Sequence, residues 1–307
     1  MDYYLVLAGG VGAAKFLEGL ANVVDPSHIK IIVNTGDDLE LFGLKICPDI
    51  DIITYTLAGL VDKQKGWGFQ NDTFNCLNTL KRYYNQGWFN AGDKDLATHI
   101  YRTDLFRQGY NKTEITSQIA KNLGVKAQII PMCNEDVQTY LDTDFGVIHF
   151  EEYYIKHQCK PKVKSIKYRG IENAKLPDKL LQYIAMAKKI IVCPSNPIVS
   201  IGTILSVPGI LKSLKRVKEK IYGVSPLVQG ATIKGPADKL MESLTLEVSC
   251  VGVAKYYKDF LGHFIIDLMD CERKKEVEDL GIRAYCFDTI MDSLIKKKNL
   301  AKFIIDL

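Results

Sequence analysis

The sequence lacks an apolar run of about 20 residues, the length that a membrane-spanning helix requires. It also has little excess charge, because 40 basic and 36 acidic side chains leave a net charge of +4. The lysines are scattered, so this balance indicates no nucleic-acid partner, and the run at 296–298 is typical of a solvated helix face. The N-terminus carries Asp2 and no basic leader. We therefore expect no signal peptide and no membrane partner.

None of the eight cysteines belongs to a C-x-x-C pair, and several lie in apolar, strand-like stretches. This pattern predicts buried, reduced thiols in a cytoplasmic protein. No Ser–His–Asp order and no cysteine nucleophile can be defended. His99 could serve as a base, whereas the other four histidines lack metal-ligand spacing and are typical of core or surface positions.

The chain is organised around its first 38 residues, which predict a strand, a glycine turn, a helix, a second strand and an acidic turn. Residues 4–8 form an apolar run typical of a strand buried on both faces. Gly9, Gly10 and Gly12 follow, and Lys15 lies early in the predicted helix. Glycines let the backbone approach a ligand closely, and a helix N-terminus attracts anions. The order predicts a phosphate-binding turn, with a tight structural turn as the alternative.

The glycine turn matches neither common nucleotide-binding fingerprint. Gly10-x-Gly12-x-x-Lys15 lacks the third glycine of the dinucleotide motif and the Gly-Lys-Ser/Thr ending of a Walker A loop. The second strand ends in a turn that carries Asp37 and Asp38. Phosphates and paired aspartates together usually indicate a divalent metal ion, so the two turns favour a nucleotide with Mg²⁺.

Two further blocks concentrate polar side chains. Asp49 and Asp51 alternate with isoleucines, so an extended segment would present both carboxylates on one face; a solvated edge is the alternative. Residues 92–99 hold Lys94 between two aspartates, close to His99, and helix capping explains only part of this pattern. Both blocks fit phosphoryl chemistry, which depends on positioning and charge neutralisation.

Strands alternate with helices along most of the chain. This rhythm predicts an α/β fold with a doubly wound, mostly parallel Rossmann-like sheet. Residues 1–133 and 177–307 would form this nucleotide-binding core. Residues 134–176 break the rhythm and would form an inserted, smaller subdomain.

Ligands bind such sheets beyond the carboxyl ends of the strands, where the strand order reverses. The first strand and the strand ending at Cys193 are the expected neighbours at that point. The loops 9–15, 34–38 and 194–202 would then face one another. The third loop carries side chains that can bind anions or sugar hydroxyls, namely Ser195, Asn196 and Ser200.

Taken together, these blocks resemble the 2-phospho-L-lactate transferase family of coenzyme F-420 biosynthesis over nearly the whole chain. The acidic motifs and the Gly-Asp-Lys-Asp block are specific in combination, whereas the glycine loop belongs to a wider superfamily. The motifs that carry the resemblance are residues 9–15, 34–38, 47–51, 67–74, 92–99, 131–132, 194–202, 225–226 and 235–237.

The resemblance implies a reaction. A guanosine diphosphate ester of lactate, or of a related three-carbon acid, would donate its phospho-acid group. The acceptor would be the terminal ribityl hydroxyl of 7,8-didemethyl-8-hydroxy-5-deazariboflavin, and GMP would leave. The enzyme would depend on Mg²⁺ and would be a homodimer, as enzymes of this class often are.

The resemblance also implies roles for individual residues. Asp49, Asp51 and Lys94 would lie at the reaction centre, with Asp51 and Lys94 also contacting the deazaflavin. Asp37 or Asp51 would bind Mg²⁺. The guanine nucleotide would bind at Gly9, Gly10, Gly12, Lys15, Ser195, Asn196 and Ser200. The aromatic side chains that could pack on the tricycle are Trp67 and Trp88.

Two departures from the family pattern leave the donor acid open. Val11 and Ala14 stand where Thr and Pro are common, and Gly36 begins a turn that often reads Ala-Glu-Asp. Phospholactate, phosphoenolpyruvate and phosphoglycerate donors all remain possible. Two other functions compete: a non-enzymatic nucleotide-sugar-binding regulator of the related gluconeogenesis-factor family, and an NAD-dependent enzyme with Asp37 on the ribose.

Overall fold

The computed structural model describes residues 2–84 and 87–307. Its strands, in chain order, are β1 (Tyr4–Ala8), β2 (Ile29–Val33), β3 (Leu39–Leu41), β4 (Leu44–Ile46), β5 (Gln128–Pro131), β6 (Gln138–Thr143), β7 (Gly146–His149), β8 (Val163–Arg169), β9 (Lys189–Val192), β10 (Ile221–Val224), β11 (Leu227–Val228), β12 (Ala231–Thr232), β13 (His263–Ile266) and β14 (Arg283–Cys286).

The α-helices are α1 (Gly10–Leu20), α2 (Pro48–Leu57), α3 (Asn75–Leu80), α4 (Asp93–Arg107), α5 (Lys112–Asn122), α6 (Leu180–Met186), α7 (Thr203–Ser206), α8 (Ile210–Lys215), α9 (Ala237–Ser243), α10 (Cys250–Tyr257), α11 (Lys274–Glu278) and α12 (Leu294–Asp306). Two π-helical segments span Glu152–Lys156 and Pro197–Gly202. Short 3₁₀ turns span Pro26–His28, Ile171–Asn173, Lys218–Lys220 and Leu268–Arg273.

The central sheet has seven strands in the order β14-β13-β10-β9-β1-β2-β5, and every neighbouring pair is parallel. Alternate residues of β1 pack on opposite faces: Leu5 and Leu7 join one hydrophobic core, and Val6 and Ala8 join the other. A sheet covered on both faces explains the continuous apolar runs of its strands. The predicted doubly wound α/β fold is confirmed.

The strand order reverses between β1 and β9. From β1 the chain winds outward through β2 to β5, and from β9 it winds the other way through β10, β13 and β14. The parallel pairing of β1 with β9 brings the glycine turn beside the loop after Cys193, as predicted. A crevice at the carboxyl ends of these two strands is the expected ligand site.

A second, three-stranded antiparallel sheet has the order β7-β6-β8 and lies within residues 138–169. It falls inside the stretch predicted to be an inserted subdomain. The exact division of the chain at residues 134 and 176 stays a prediction. The segment after β7 begins with Phe150 and Glu151 and lines the crevice.

The prediction that residues 49–51 are extended is wrong. They belong to α2, which begins with Pro48 at its first position, where the missing N–H costs no hydrogen bond. All residues from 49 to 56 are buried, so the alternation of acids and isoleucines does not mark one buried and one solvated face. On a helix, two residues that are two apart point in different directions.

The prediction that all eight thiols are reduced is also wrong for one pair. Cys271 and Cys286 are disulfide-bonded, although 15 positions separate them in sequence. They meet because β14 ends beside the 3₁₀ turn that contains Cys271. The other six cysteines are free. Within the described residues, no helix is long and apolar enough to cross a membrane.

Candidate functional site

The crevice between β1 and β9 contains a cavity of about 500 Å³. Its floor is the glycine turn and the loop 194–200, and its walls come from α2, the loop around Trp67 and the segment 150–155. The lining residues are Gly9, Gly10, Val11, Gly12, Asp37, Pro48, Asp49, Ile52, Trp67, Phe89, Asn90, Phe150, Glu151, Tyr154, Ile155, Pro194, Ser195, Asn196, Val199, Ser200, Lys234, Gly235 and Pro236.

The glycine turn is packed too tightly for side chains at two of its positions. A Cβ on Gly9 would lie 2.7 Å from Asp49 Oδ2, and one on Gly12 would lie 2.2 Å from the carbonyl oxygen of Pro194. Gly10 has a φ of +71°, in the left-handed region that favours glycine. Gly9, at the N-cap position of α1, has no side chain that could cap the helix. Asp49 accepts from the N–H of Gly10, so the first turn offers an anion the N–H groups of Val11 and Gly12 and its positive dipole end.

Three carboxylates line the cavity: Asp37, Asp49 and Glu151. Burial, reinforced by the charges of Asp49 and Glu151, raises the pKa of Asp37 well above its usual value. Burial raises the pKa of Asp49 to about 6, against the opposing hydrogen bonds from Asn34 and Gly10. Burial and the charge of Asp49 raise the pKa of Glu151 to about 8. Three desolvated acids in one cavity would all be stabilised by a cation.

Asn34 holds two of these carboxylates together. Its Nδ2 donates to Asp37 Oδ2 at 3.1 Å and to Asp49 Oδ2 at 3.0 Å. Asp49 Oδ1 accepts from Gly10 N at 2.8 Å, which ties α2 to the glycine turn. Asp37 Oδ1 is buried and has no hydrogen-bond partner among the described residues. A hard cation with oxygen ligands would satisfy it, so these residues fit Mg²⁺.

The loop after β9 carries two polar side chains near the cavity, one that joins two loops and one with an unpaired donor. Ser195 Oγ donates to the carbonyl oxygen of Gly9 at 2.8 Å and accepts from Gly9 N at 3.3 Å, which fixes the two loops together. Asn196 Oδ1 accepts from the N–H groups of Ile198 and Val199 and so caps the π-helical segment. Asn196 Nδ2 is buried without a partner in the described chain and is available to a ligand.

Other predicted site residues lie elsewhere. Asp51, on the same helix as Asp49, does not line the cavity. Lys94 is exposed, and its Nζ donates to the carbonyl oxygens of Gln70 and Asn71 at 3.2 and 3.1 Å. Lys15 is not a lining residue either. The proposed pairing of Asp51 and Lys94 at one reaction centre is therefore not seen in this arrangement.

The two tryptophans are separated. Trp67 lines the cavity, 6.5 Å from the ring of Phe74. Trp88 packs instead on a small hydrophobic cluster that includes Leu41 and Phe89. It also borders a second cavity of about 410 Å³ on the other side of the segment 150–155. Of the two, only Trp67 is placed to contact a ligand in the crevice.

Asp51 belongs to a buried polar network with α4. The Arg102 guanidinium donates to both carboxylate oxygens of Asp51, and its Nη1 donates to His99 Nδ1 at 3.2 Å. Tyr55 Oη donates to Asp95 Oδ1 at 2.7 Å. Asp51, Asp95 and His99 are close enough to surround a metal ion. However, His99 Nδ1 already accepts from an arginine, so its Nε2 carries the proton and neither nitrogen is free to bind a cation.

Sequence reasoning missed two lining residues with ionisable side chains. Glu151 lies in the predicted insertion and Lys234 in a glycine- and proline-containing loop before α9. Neither belongs to a motif. The acidic dipeptide Glu151-Glu152 was the one local signal, and nothing in the sequence distinguishes it from a solvated acidic pair.

The crowding at Gly12 predicts how a side chain at this position would change the stability of the protein. Gly12 lies in α1, where alanine would ordinarily stabilise the helix by about 1 kcal/mol. We expect Gly12→Ala to destabilise the protein instead, by about 1–3 kcal/mol, because the new methyl group forces the Pro194 carbonyl away. Urea unfolding of the purified variant measures this. A stability at or above wild type would show that the two loops are not in close contact.

A family model described as 2-phospho-L-lactate transferase CofD matches residues 5–290. The 2-phospho-L-lactate transferase of Methanosarcina mazei is 37% identical over 301 residues, which cover 98% of this chain and 99% of that protein. The phosphoenolpyruvate transferase of Streptomyces griseus subsp. griseus is also 37% identical, over 309 residues, 99% of this chain and 97% of that protein.

Among solved structures, a member of the UPF0052 family from Bacillus halodurans is similar, with a TM-score of 0.67. The superposition covers 99% of this chain and 98% of that one, at 15% sequence identity. A likeness at this identity concerns the fold alone.

Proposed function

The chain belongs to the 2-phospho-L-lactate transferase family and is a transferase, and from this premise we propose its reaction. A guanosine diphosphate ester of lactate, or of a related three-carbon acid, donates its phospho-acid group to the ribityl hydroxyl of 7,8-didemethyl-8-hydroxy-5-deazariboflavin, in coenzyme F-420 biosynthesis. The observation that carries the proposal is the meeting of the first turn of α1 with three buried carboxylates in one cavity.

In this reaction the ribityl oxygen attacks the phosphorus atom that bears the acid. The bond from that phosphorus to the bridging oxygen of the diphosphate breaks, and GMP leaves with the bridging oxygen. The hydroxyl proton must pass to a base, and a cavity carboxylate is the available group. Asp49, which is held by Gly10 and Asn34, is the best oriented of the three.

Mg²⁺ is the proposed cofactor, and it would neutralise charge on the diphosphate and on the leaving phosphate. Asp37 would hold it, with Glu151 as a further candidate ligand. At the reaction centre Asp49 takes the place predicted for Asp51, because Asp51 is already bound by Arg102. The unpartnered Asp37 Oδ1 supports this assignment.

The residues that line the cavity include both polar and apolar groups, which supports an assignment of the two substrates. The diphosphate would lie against the first turn of α1, and Asn196 Nδ2 would donate to the nucleotide. Trp67, Phe89 and Tyr154 form an apolar wall that could accept the flat deazaflavin ring system.

The donor acid is an open part of the proposal. Relatives of equal identity carry the names 2-phospho-L-lactate transferase and phosphoenolpyruvate transferase. Parallel assays with the phospholactate, phosphoenolpyruvate and phosphoglycerate esters of the nucleotide would rank kcat/KM for the three donors. A cytoplasmic homodimer also stays a prediction, and light scattering of the purified protein tests the dimer.

Titration with the deazaflavin, with and without GDP and Mg²⁺, tests the proposed function. We expect saturable binding at one site per chain, followed by the fluorescence of the chromophore, and tighter binding when GDP and Mg²⁺ are present. Absence of deazaflavin binding, with saturable binding of a UDP-sugar, would overturn the transferase assignment and favour the nucleotide-sugar-binding regulator.

The raised pKa of Glu151 predicts a pH-dependent stability for the metal-free protein. The folded state holds the Glu151 proton up to about pH 8, whereas the unfolded chain releases it near pH 4.5. The folded state therefore binds more protons between these values, and the free energy of unfolding falls as the pH rises through that interval. Glu151→Gln removes this proton from both states, so we expect a flatter pH profile and higher stability at pH 8 to 9.

Urea unfolding at pH 5, 7 and 9 in the presence of a chelator measures this difference. Glu152→Gln is the matched control, because Glu152 is partly exposed, pairs with Lys156 and does not line the cavity. A Glu151→Gln profile parallel to that of wild type would contradict the prediction.

A further inference from the structure

Among the described residues that line the cavity, one has a basic side chain. Asp37, Asp49 and Glu151 are the acidic members, and Lys234 is the basic one. Lys234 lies in the loop between β12 and α9, far in sequence from the glycine turn and the acidic motifs. Its position in the cavity is therefore a product of the tertiary structure.

Lys234 contacts the loop that precedes Trp67. Its Nζ donates to the carbonyl oxygen of Lys65 at 3.2 Å. A Cβ placed on Gly66 would lie 3.0 Å from this Nζ and 3.7 Å from Val11 Cγ1. The ammonium group and Val11 Cγ1 therefore both lie close to Gly66, which brings Lys234 near the start of α1.

A second lysine lies close enough to repel it. Burial and the charge of Lys15 both lower the pKa of Lys234. Among the described residues, neither lysine forms an ion pair, and Lys234 is bonded only to a neutral carbonyl. Two cations that repel one another close to the first turn of α1 would both be stabilised by an anion of high charge.

We propose that Lys234 is a substrate-binding residue that holds the diphosphate of the nucleotide across from the first turn of α1. This inference rests on the proposed function for the identity of the nucleotide. It names a residue outside every motif that carries the family resemblance.

The placement also has a consequence for the chemistry. When the phosphorus–oxygen bond breaks, negative charge grows on the GMP phosphate, and an ammonium group there would stabilise that charge. Lys234 would therefore contribute to kcat as well as to nucleotide affinity. The carboxylates lie on α2, after β2 and after β7, and Asp49 also accepts from the first turn of α1, so Lys234 would supply positive charge to a phosphate that lies near acidic side chains.

Calorimetric titration with inorganic diphosphate, GDP and guanosine tests the proposal on Lys234→Met, Lys234→Arg and wild type. Because Lys234 is partly exposed, we expect about tenfold weaker binding of diphosphate and GDP by Lys234→Met. Guanosine binding should not change, since it carries no phosphate. Lys234→Arg should recover most of the affinity, and Lys239→Met, an exposed lysine of α9 outside the cavity, should behave as wild type.

Unchanged diphosphate affinity in Lys234→Met would overturn the inference, and so would an equal loss of guanosine affinity, which indicates a structural role. The result is separable from the proposed function. If wild type binds diphosphate through Lys234 but does not bind the deazaflavin, the anion site stands and the transferase assignment fails. If wild type binds both substrates and Lys234→Met turns over at the wild-type rate, only the Lys234 inference fails.

Discussion

Asp49→Asn should lower kcat by about 10²–10⁴-fold while leaving the fold intact, the range typical of losing a positioned acid–base group. Both carboxylate oxygens of Asp49 accept hydrogen bonds, from Gly10 N and from Asn34 Nδ2. An asparagine must turn its NH₂ group toward one of these donors and so loses that bond. It also removes the negative charge that a metal ion or a transferred proton requires.

Steady-state kinetics with the nucleotide ester and the deazaflavin, over a range of Mg²⁺ concentrations, measure the effect. Asp104→Asn, an exposed aspartate on α4 that bonds to Gln108, is the matched control and should keep its rate. Circular dichroism checks the fold. More than a tenth of the wild-type kcat in Asp49→Asn at saturating Mg²⁺ would remove Asp49 from the reaction centre.

Arg102→Met should destabilise the protein by about 3–5 kcal/mol, because it leaves the buried carboxylate of Asp51 without its partner. Arg102 is 2% exposed and donates to both oxygens of Asp51. The variant also removes the donor to His99 Nδ1. Methionine fills much of the same volume, so the loss is mainly that of the charge pair.

Urea unfolding at neutral pH gives the free energy. Arg107→Met, an exposed position on the same helix, is the control and should differ from wild type by less than about 0.5 kcal/mol. The double variant Asp51→Leu/Arg102→Met removes both charges and should recover much of the stability. A loss below about 1 kcal/mol in Arg102→Met would show that water reaches Asp51.

These two predictions assign different tasks to two aspartates of one motif. The family resemblance placed both Asp49 and Asp51 at the reaction centre and gave the deazaflavin contact and the Mg²⁺ ligand to Asp51. In the structure, Asp49 faces the glycine turn and Asp51 faces Arg102. Comparing Asp49→Asn with Asp51→Asn therefore separates a loss of turnover from a loss of stability.

Local patterns determined much of the fold. The first 33 residues contain β1, the glycine turn, α1 and β2. The local hydrophobic pattern of each of these segments predicts its secondary structure. The alternation of strands and helices then leaves few topologies, because crossover connections between parallel strands are right-handed. The meeting of the glycine turn with Ser195 follows from that topology.

The acidic and basic walls of the cavity needed the tertiary structure. Glu151 and Lys234 come from segments more than 80 residues apart, and neither carries a local signal. The tertiary structure likewise decided that residues 48–57 form a helix, because a segment that is buried on nearly all sides shows no hydrophobic periodicity in its sequence. The helical geometry then fixes the different directions in which Asp49 and Asp51 point.

The sequence by itself determined the sheet, its point of strand reversal and the tight glycine turn after β1, because these depend on periodicity and on glycine. Only the tertiary structure decided which acids share the cavity, which one pairs with Arg102 and where Lys234 lies. Charges act through space, and the distance between two side chains that are remote in sequence is fixed by the packing of the whole chain.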